Sequence, residues 1–97
     1  MTSSEGYLRL TVAALLYSTG ETQADLAAGI GITQGQVSRK QTGAAHWSLD
    51  DLDELSVHYA IPVPDLLCGP DHAVGKLRPH RRSDRIGGGT QTMITTG

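Results

Sequence analysis

Two copies of one short signal, eleven residues apart, constrain this chain more than any other feature: Thr22 with Asp25 three residues on, and Thr33 with Gln36. Each reads as a capping box, in which side-chain oxygens satisfy amide donors that a helix start leaves unpaired. Behind the first cap, Leu26, Ala27 and Ile30 fall on one face at helical spacing; behind the second, Val37 is the main inward residue. Gly31 stands where the chain must reverse tightly between the two patterns, because glycine accepts the positive φ of a helix end. Helices joined by so short a turn cannot lie side by side, so the spacing predicts that they cross steeply.

Such a pair is the helix-turn-helix arrangement, whose second helix enters the DNA major groove. Segment 22–43 resembles the DNA-binding domain of Xre-type regulators, the group of the lambdoid phage repressors and Cro proteins. Their pattern is a glutamine, an alanine four later, a glycine four after that and a β-branched residue six further on. Gln23, Ala27, Gly31 and Val37 occupy those positions here. Thr22, Leu26, Ile30, Ile32, Ser38 and Gly43 fit as well, and the match extends through Leu67. The chain departs from the pattern twice: Lys40 stands where the family usually has an apolar residue, and Gln41 where it usually has glutamate. Lys40 is expected to lay its stem along the core and send its ammonium outward, toward phosphate.

The resemblance implies an all-α fold: a compact five-helix, lambda-repressor-like helix-turn-helix domain over residues 1–69. A flexible, basic, Gly-rich tail over residues 70–97 follows; within it Asp71 to Leu77 fit one helical turn or two, interrupted by Gly75, and the basic and glycine-rich remainder is too polar to pack a core.

Composition narrows the function classes. The single cysteine, Cys68, excludes an internal disulfide and any multi-cysteine metal site. His72 and His80 show no metal-ligand spacing with each other or with Cys68, so no metal and no cofactor is expected. No apolar run approaches the roughly 18 residues that span a bilayer, so no membrane partner is expected and the chain reads as a cytoplasmic, nucleoid-associated protein of a bacterial host. No small-molecule ligand is evident, and the absence of a nucleophile–base pair or phosphate-cradling loop argues against an enzyme.

Charge is unevenly spread. Residues 1–69 carry three cations (Arg9, Arg39 and Lys40) against eight acids, a net of −5; residues 70–97 carry five cations against two acids, a net of +3. An acidic domain is not what nucleic-acid binding predicts, but the local field at a docking face matters more than the total.

Along the chain, Leu8, Val12, Leu15 and Leu16 predict an amphipathic first helix over about residues 5–18, ended by Gly20. After the helix pair, Trp47 precedes the cap Ser48 with Leu52 at hydrophobic-staple spacing, and Ser48 with Asp51 forms a third capping box. Trp47 is therefore read as structural. Leu49, Leu52, Leu55, Tyr59 and Ala60 are expected to face the core of the fourth helix, while Asp50, Asp51, Asp53 and Glu54 load its N-terminal end. Leu66 and Leu67 are expected to close the core in a final short helix.

The candidate DNA contacts follow. Thr22 and Gln23 start the second helix, where free amides and the helix dipole favour an anion, and family members contact the DNA backbone there. Gln34 suits adenine N6 and N7, and Arg39 suits guanine O6 and N7. Thr33, Gly35, Gln36, Ser38 and Lys40 complete the set on the third helix, although Gln36 is partly committed to its cap. Gly35 costs about 1 kcal/mol against alanine and fits two readings, closer approach to the bases or plain tolerance in a first turn. Arg78, Arg81 and Arg82 in the tail fit an arm that follows phosphates, or else a solubilising tail. The expected function is a sequence-specific, double-stranded DNA-binding transcriptional repressor of the phage or prophage immunity type. It would act on an operator, with a homodimer as one route to affinity. The alternative is an antitoxin-type autoregulator, or a protein-interaction module that binds a toxin, a polymerase subunit or another regulator through the acidic fourth helix and the tail.

Overall fold

The computed structural model describes residues 3–82, and all of its regular structure is helical. Six α-helices run in chain order: α1 (Ser4–Thr19), α2 (Gln23–Ile30), α3 (Gln34–Thr42), α4 (Leu49–Tyr59), α5 (Val63–Leu66) and α6 (Pro70–Lys76). A 3₁₀ turn, Pro79–Arg81, ends the described chain.

The helix starts are where cap chemistry puts them. Thr22, Thr33 and Ser48 each accept the amide of the residue three on, and Asp25, Gln36 and Asp51 return the bond to the cap amide. Each α-helix start so capped has two of its four orphan donors satisfied locally. α1 begins one residue earlier than expected, at Ser4, because the Ser3 hydroxyl accepts the Gly6 amide. Gly31 takes φ 80° and returns its amide to Ala27, so α2 stops and the chain reaches Thr33 within three residues.

The core is built from Leu8, Val12 and Leu15 of α1, Leu26, Ala27 and Ile30 of α2, Val37 of α3, Leu52, Leu55 and Tyr59 of α4, and Ile61 and Leu66 beyond. Trp47 is buried against this cluster, and its indole N–H donates to Gln41 Oε1 at 3.0 Å. Three expected core positions are not core. Leu49 is 81% exposed although Leu52, in the same first turn of α4, is buried, because at about 100° per residue Leu49 stands to one side of the face that Leu52, Leu55 and Tyr59 share. Ala60 is exposed and caps α4 in the left-handed region at φ 56°. Leu67 is 49% exposed, and Leu66 alone closes the core there.

The larger correction concerns the tail. Packing does not end at residue 69: α6 lies along α1, and Ala73 and Leu77 are buried in the common core. Gly69 makes this possible. Its φ of 110° turns the chain back toward α1, and a Cβ at that position would run into the Tyr7 ring, 2.7 Å from Cζ. Pro70 then supplies a preset φ in the first turn of α6. The helical body therefore has six helices rather than five. The remainder of the expected tail, residues 83–97, lies outside the described residues. Among the described residues, no helix is long and apolar enough to cross a membrane.

Candidate nucleic-acid interface

α3 is short, and two things hold it. Its start is locked by the reciprocal bonds between Thr33 and Gln36, at 2.8 and 3.1 Å. Its middle is pinned by Val37, which is fully buried against α1 and α2. The opposite side of the helix faces out. Gln34, Gly35, Gln36 and Arg39 are exposed and Ser38 is half-buried. Among the described residues, nothing hydrogen-bonds or ion-pairs with the side chains of Gln34 and Arg39, so their donors point to solvent. A Cβ at Gly35 would meet only the Thr33 hydroxyl, at 3.9 Å. Among the described residues nothing therefore requires glycine there.

Thr22 and Gln23 stand at the start of α2. The Thr22 hydroxyl accepts the Asp25 amide at 3.1 Å, while the Asp25 carboxylate accepts the Thr22 amide at 2.9 Å. The hydroxyl proton of Thr22 stays available, since a hydroxyl accepts and donates independently. The Asp25 carboxylate, however, already places a negative charge where an incoming anion would dock. Thr22 is exposed and Gln23 half-buried.

Four expected cationic contacts divide differently from the sequence reading. Lys40 does not project outward: its Nζ lies 2.7 Å from Asp51 Oδ2 and donates to the His46 carbonyl at 2.9 Å. It also sits 5.7 Å from the Trp47 ring centroid. Burial pushes the Asp51 carboxyl up, but the Lys40 and Ser48 hydrogen bonds outweigh it and hold that carboxyl below its ordinary range. Lys40 is thus a tie between α3 and α4. Arg81 is likewise turned inward, toward Glu21 at 3.5 Å and over the Tyr59 ring. Arg82 is exposed but donates to the Val74 carbonyl at 2.9 Å. Arg78 is exposed, with no side-chain partner among the described residues.

We expect Lys40→Met to cost about 1–2 kcal/mol of stability, the scale of a partly buried hydrogen bond to a charged group. Urea unfolding measures it, and the salt dependence of nucleic-acid binding should be unchanged, because no phosphate contact is removed.

The departure at Gln41 has a physical reason. Its Nε2 donates to the Arg9 carbonyl at 3.1 Å while its Oε1 accepts from Trp47. A carboxylate only accepts, so glutamate would leave the Arg9 carbonyl without this donor. Sequence reasoning also missed Glu5. Its carboxylate accepts the Trp47 amide at 3.0 Å, lies 2.7 Å from His46 Nδ1, and pairs with Arg9 at 3.5 Å. The His46 hydrogen bond is the leading cause that holds the Glu5 carboxyl below its ordinary range. His46, in the loop between α3 and α4, is therefore tied to α1, and the Arg9 guanidinium lies beside Gly43 at the end of α3. Neither pairing has a local sequence signal.

No family model, curated protein or solved structure matches this chain.

Proposed function

We propose that the α2–α3 pair is a helix-turn-helix and that the protein is a sequence-specific double-stranded DNA-binding regulator, acting as a transcriptional repressor. One observation carries the reading: Gln34 and Arg39 stand exposed and unengaged on a helix whose own start and inner face are fixed. Side chains held this way offer bidentate hydrogen-bonding groups, a donor and an acceptor on Gln34 and two donors on Arg39, without first breaking internal contacts, which is what readout of base edges in a major groove requires. The resemblance of segment 22–43 to Xre-type regulators points the same way. Backbone positioning falls to the Thr22 hydroxyl, Gln23 and the Gln34–Gln36 end of α3, with Arg78 as an outlying cation.

The experiment is footprinting on the DNA upstream of the protein's own gene, paired with gel shifts of Arg39→Ala. The variant is expected to lose about 1–3 kcal/mol of discrimination at one base position while retaining non-specific binding. Unchanged operator binding by Arg39→Ala would sink the assignment of the reading helix. Paired protected blocks one helical turn apart would identify a dimer on a two-fold site, and a single block a monomer.

A second reading has its own observation. Leu49 and Val57, eight residues apart on one face of α4, are 81% and 79% exposed beside Asp53 and Glu54. That face suits a protein partner, as in an autoregulator that also binds a toxin or a polymerase subunit. Random-sequence duplex that competes as well as the upstream DNA would favour this reading over the first.

A further inference from the structure

Away from α3, the turn between α5 and α6 gathers three different donor types. Asp65 comes from α5, Cys68 from the turn and His72 from α6, and one ligand atom from each lies within 4.8 Å of the others. Among the described residues this is the only group of three or more histidine, cysteine and acidic side chains placed so. The sequence reading dismissed His72 and Cys68 as unrelated, since their linear spacing matches no familiar motif. The left-handed turn at Gly69 is what folds His72 back over Cys68 and Asp65.

We propose that Asp65, Cys68 and His72 form a divalent transition-metal site, selective for zinc-like ions, that staples α6 to α5. A thiolate, an imidazole and a carboxylate form the mixed S, N, O set that borderline-soft Zn²⁺ takes in tetrahedral geometry. At bond lengths of about 2.0–2.3 Å, tetrahedral neighbours lie roughly 3.3–3.8 Å apart. The three donors are thus within about an ångström of closing on an ion, a distance that exposed side chains cross by rotation. His72 Nε2 already lies 2.8 Å from Asp65 Oδ1, so two ligands are held together before metal arrives. Cys68 is exposed and in no disulfide. Binding deprotonates the Cys68 thiol, the proton leaves to buffer, and the imidazole binds in its neutral form. Water takes the fourth position, open to solvent at this surface turn. The ion would fix α6 on α5, and with it the start of the Arg78–Arg82 stretch.

The test is a titration of the full, tag-free, reduced chain with Co²⁺ and then Zn²⁺. We expect one ion per chain and a thiolate-to-cobalt charge-transfer band that Zn²⁺ bleaches. Zn²⁺ should also raise the melting temperature of the parent protein. Cys68→Ser abolishes the band and the thermal shift. Asp65→Asn and His72→Ala each weaken Zn²⁺ binding by about tenfold or more, since even outer-shell partners of metal ligands are worth that much. His80→Ala leaves binding unchanged. Three results would overturn the proposal: no charge-transfer band, one ion per two chains, or Cys68→Ser binding Zn²⁺ as the parent does. Because Cys68 and His72 are exposed, their variants are expected to fold, and circular dichroism of the apo forms checks it. None of these readouts depends on DNA binding.

Discussion

Ending the chain at Gly69 is expected to leave a protein that no longer unfolds cooperatively at 25 °C. The cut removes Ala73 and Leu77 from the core and strips α1 of the helix packed most extensively along it. Burying one leucine side chain is worth about 1.5–3 kcal/mol, and the surfaces uncovered on α1 lose a comparable amount. The loss of Arg81 from Glu21 adds to this. The total, roughly 4–6 kcal/mol, approaches the whole stability of an 80-residue domain, about 4–12 kcal/mol at 0.05–0.15 per residue. Far-UV circular dichroism and urea titration decide it. A milder version separates packing from truncation: Leu77→Ala should cost about 2–4 kcal/mol and shift the urea midpoint with an unchanged slope. A chain ended at Gly69 that unfolds with the parent's midpoint would mean that α6 contributes no net stability.

That result also marks where the sequence was readable and where it was not. Caps are local chemistry, decided by residues three apart, so Thr22, Thr33 and Ser48 announced their helices without knowledge of the fold. Val37 and the exposure of Gln34 and Arg39 followed from helical periodicity alone. α6 was legible only in part: Asp71 to Leu77 suggested a helical turn or two, but its seven residues include Pro70 and Gly75, and with only Ala73 and Val74 apolar within it no buried face was announced. Its burial depends on α1 being there to receive it. A further local hint was Pro70, a residue that favours the first helical turn. Leu49 failed for a different reason: it lies roughly 90° around α4 from the direction shared by the buried Leu52, Leu55 and Tyr59, at the edge of the apolar face rather than within it. The cations Lys40 and Arg81 were misplaced because their partners, Asp51 and Glu21, are distant in sequence, and an ion pair of this kind leaves no pattern to read.

Glu21 supplies the second large effect. It lies in the turn between α1 and α2, with its side chain 16% exposed. Its carboxylate is 2.7 Å from His58 Nε2, accepts from the Thr19 hydroxyl at 3.0 Å, and faces Arg81 at 3.5 Å. Burial pushes this carboxyl up, but His58, the nearby Tyr59 hydroxyl and Thr19 together bring it below its ordinary range. Burial, with Glu21 beside it, raises the Tyr59 hydroxyl far above the usual tyrosine range, so it stays neutral. Among the described residues, the Tyr59 hydroxyl and Arg81 Nε are buried with no hydrogen-bond partner.

Glu21→Gln keeps the shape and an acceptor oxygen but removes the charge, and is expected to cost on the order of 2–4 kcal/mol near neutral pH, the scale of breaking a partly buried ion pair. The sign with pH follows from the depressed carboxyl. Its stabilisation is complete above the unfolded-state value and disappears as pH falls through the lower folded-state value. Asp51 behaves the same way through Lys40. The parent should therefore hold its stability from neutral pH to about pH 5 and lose it below about pH 4, where unperturbed carboxyls titrate. In Glu21→Gln that acid limb is shallower, and the gap between variant and parent narrows from pH 7 to pH 3. Urea titrations at both pH values test this. An equal deficit at both would show that Glu21 acts through shape rather than charge, and that His58 and Arg81 are held in place by packing alone.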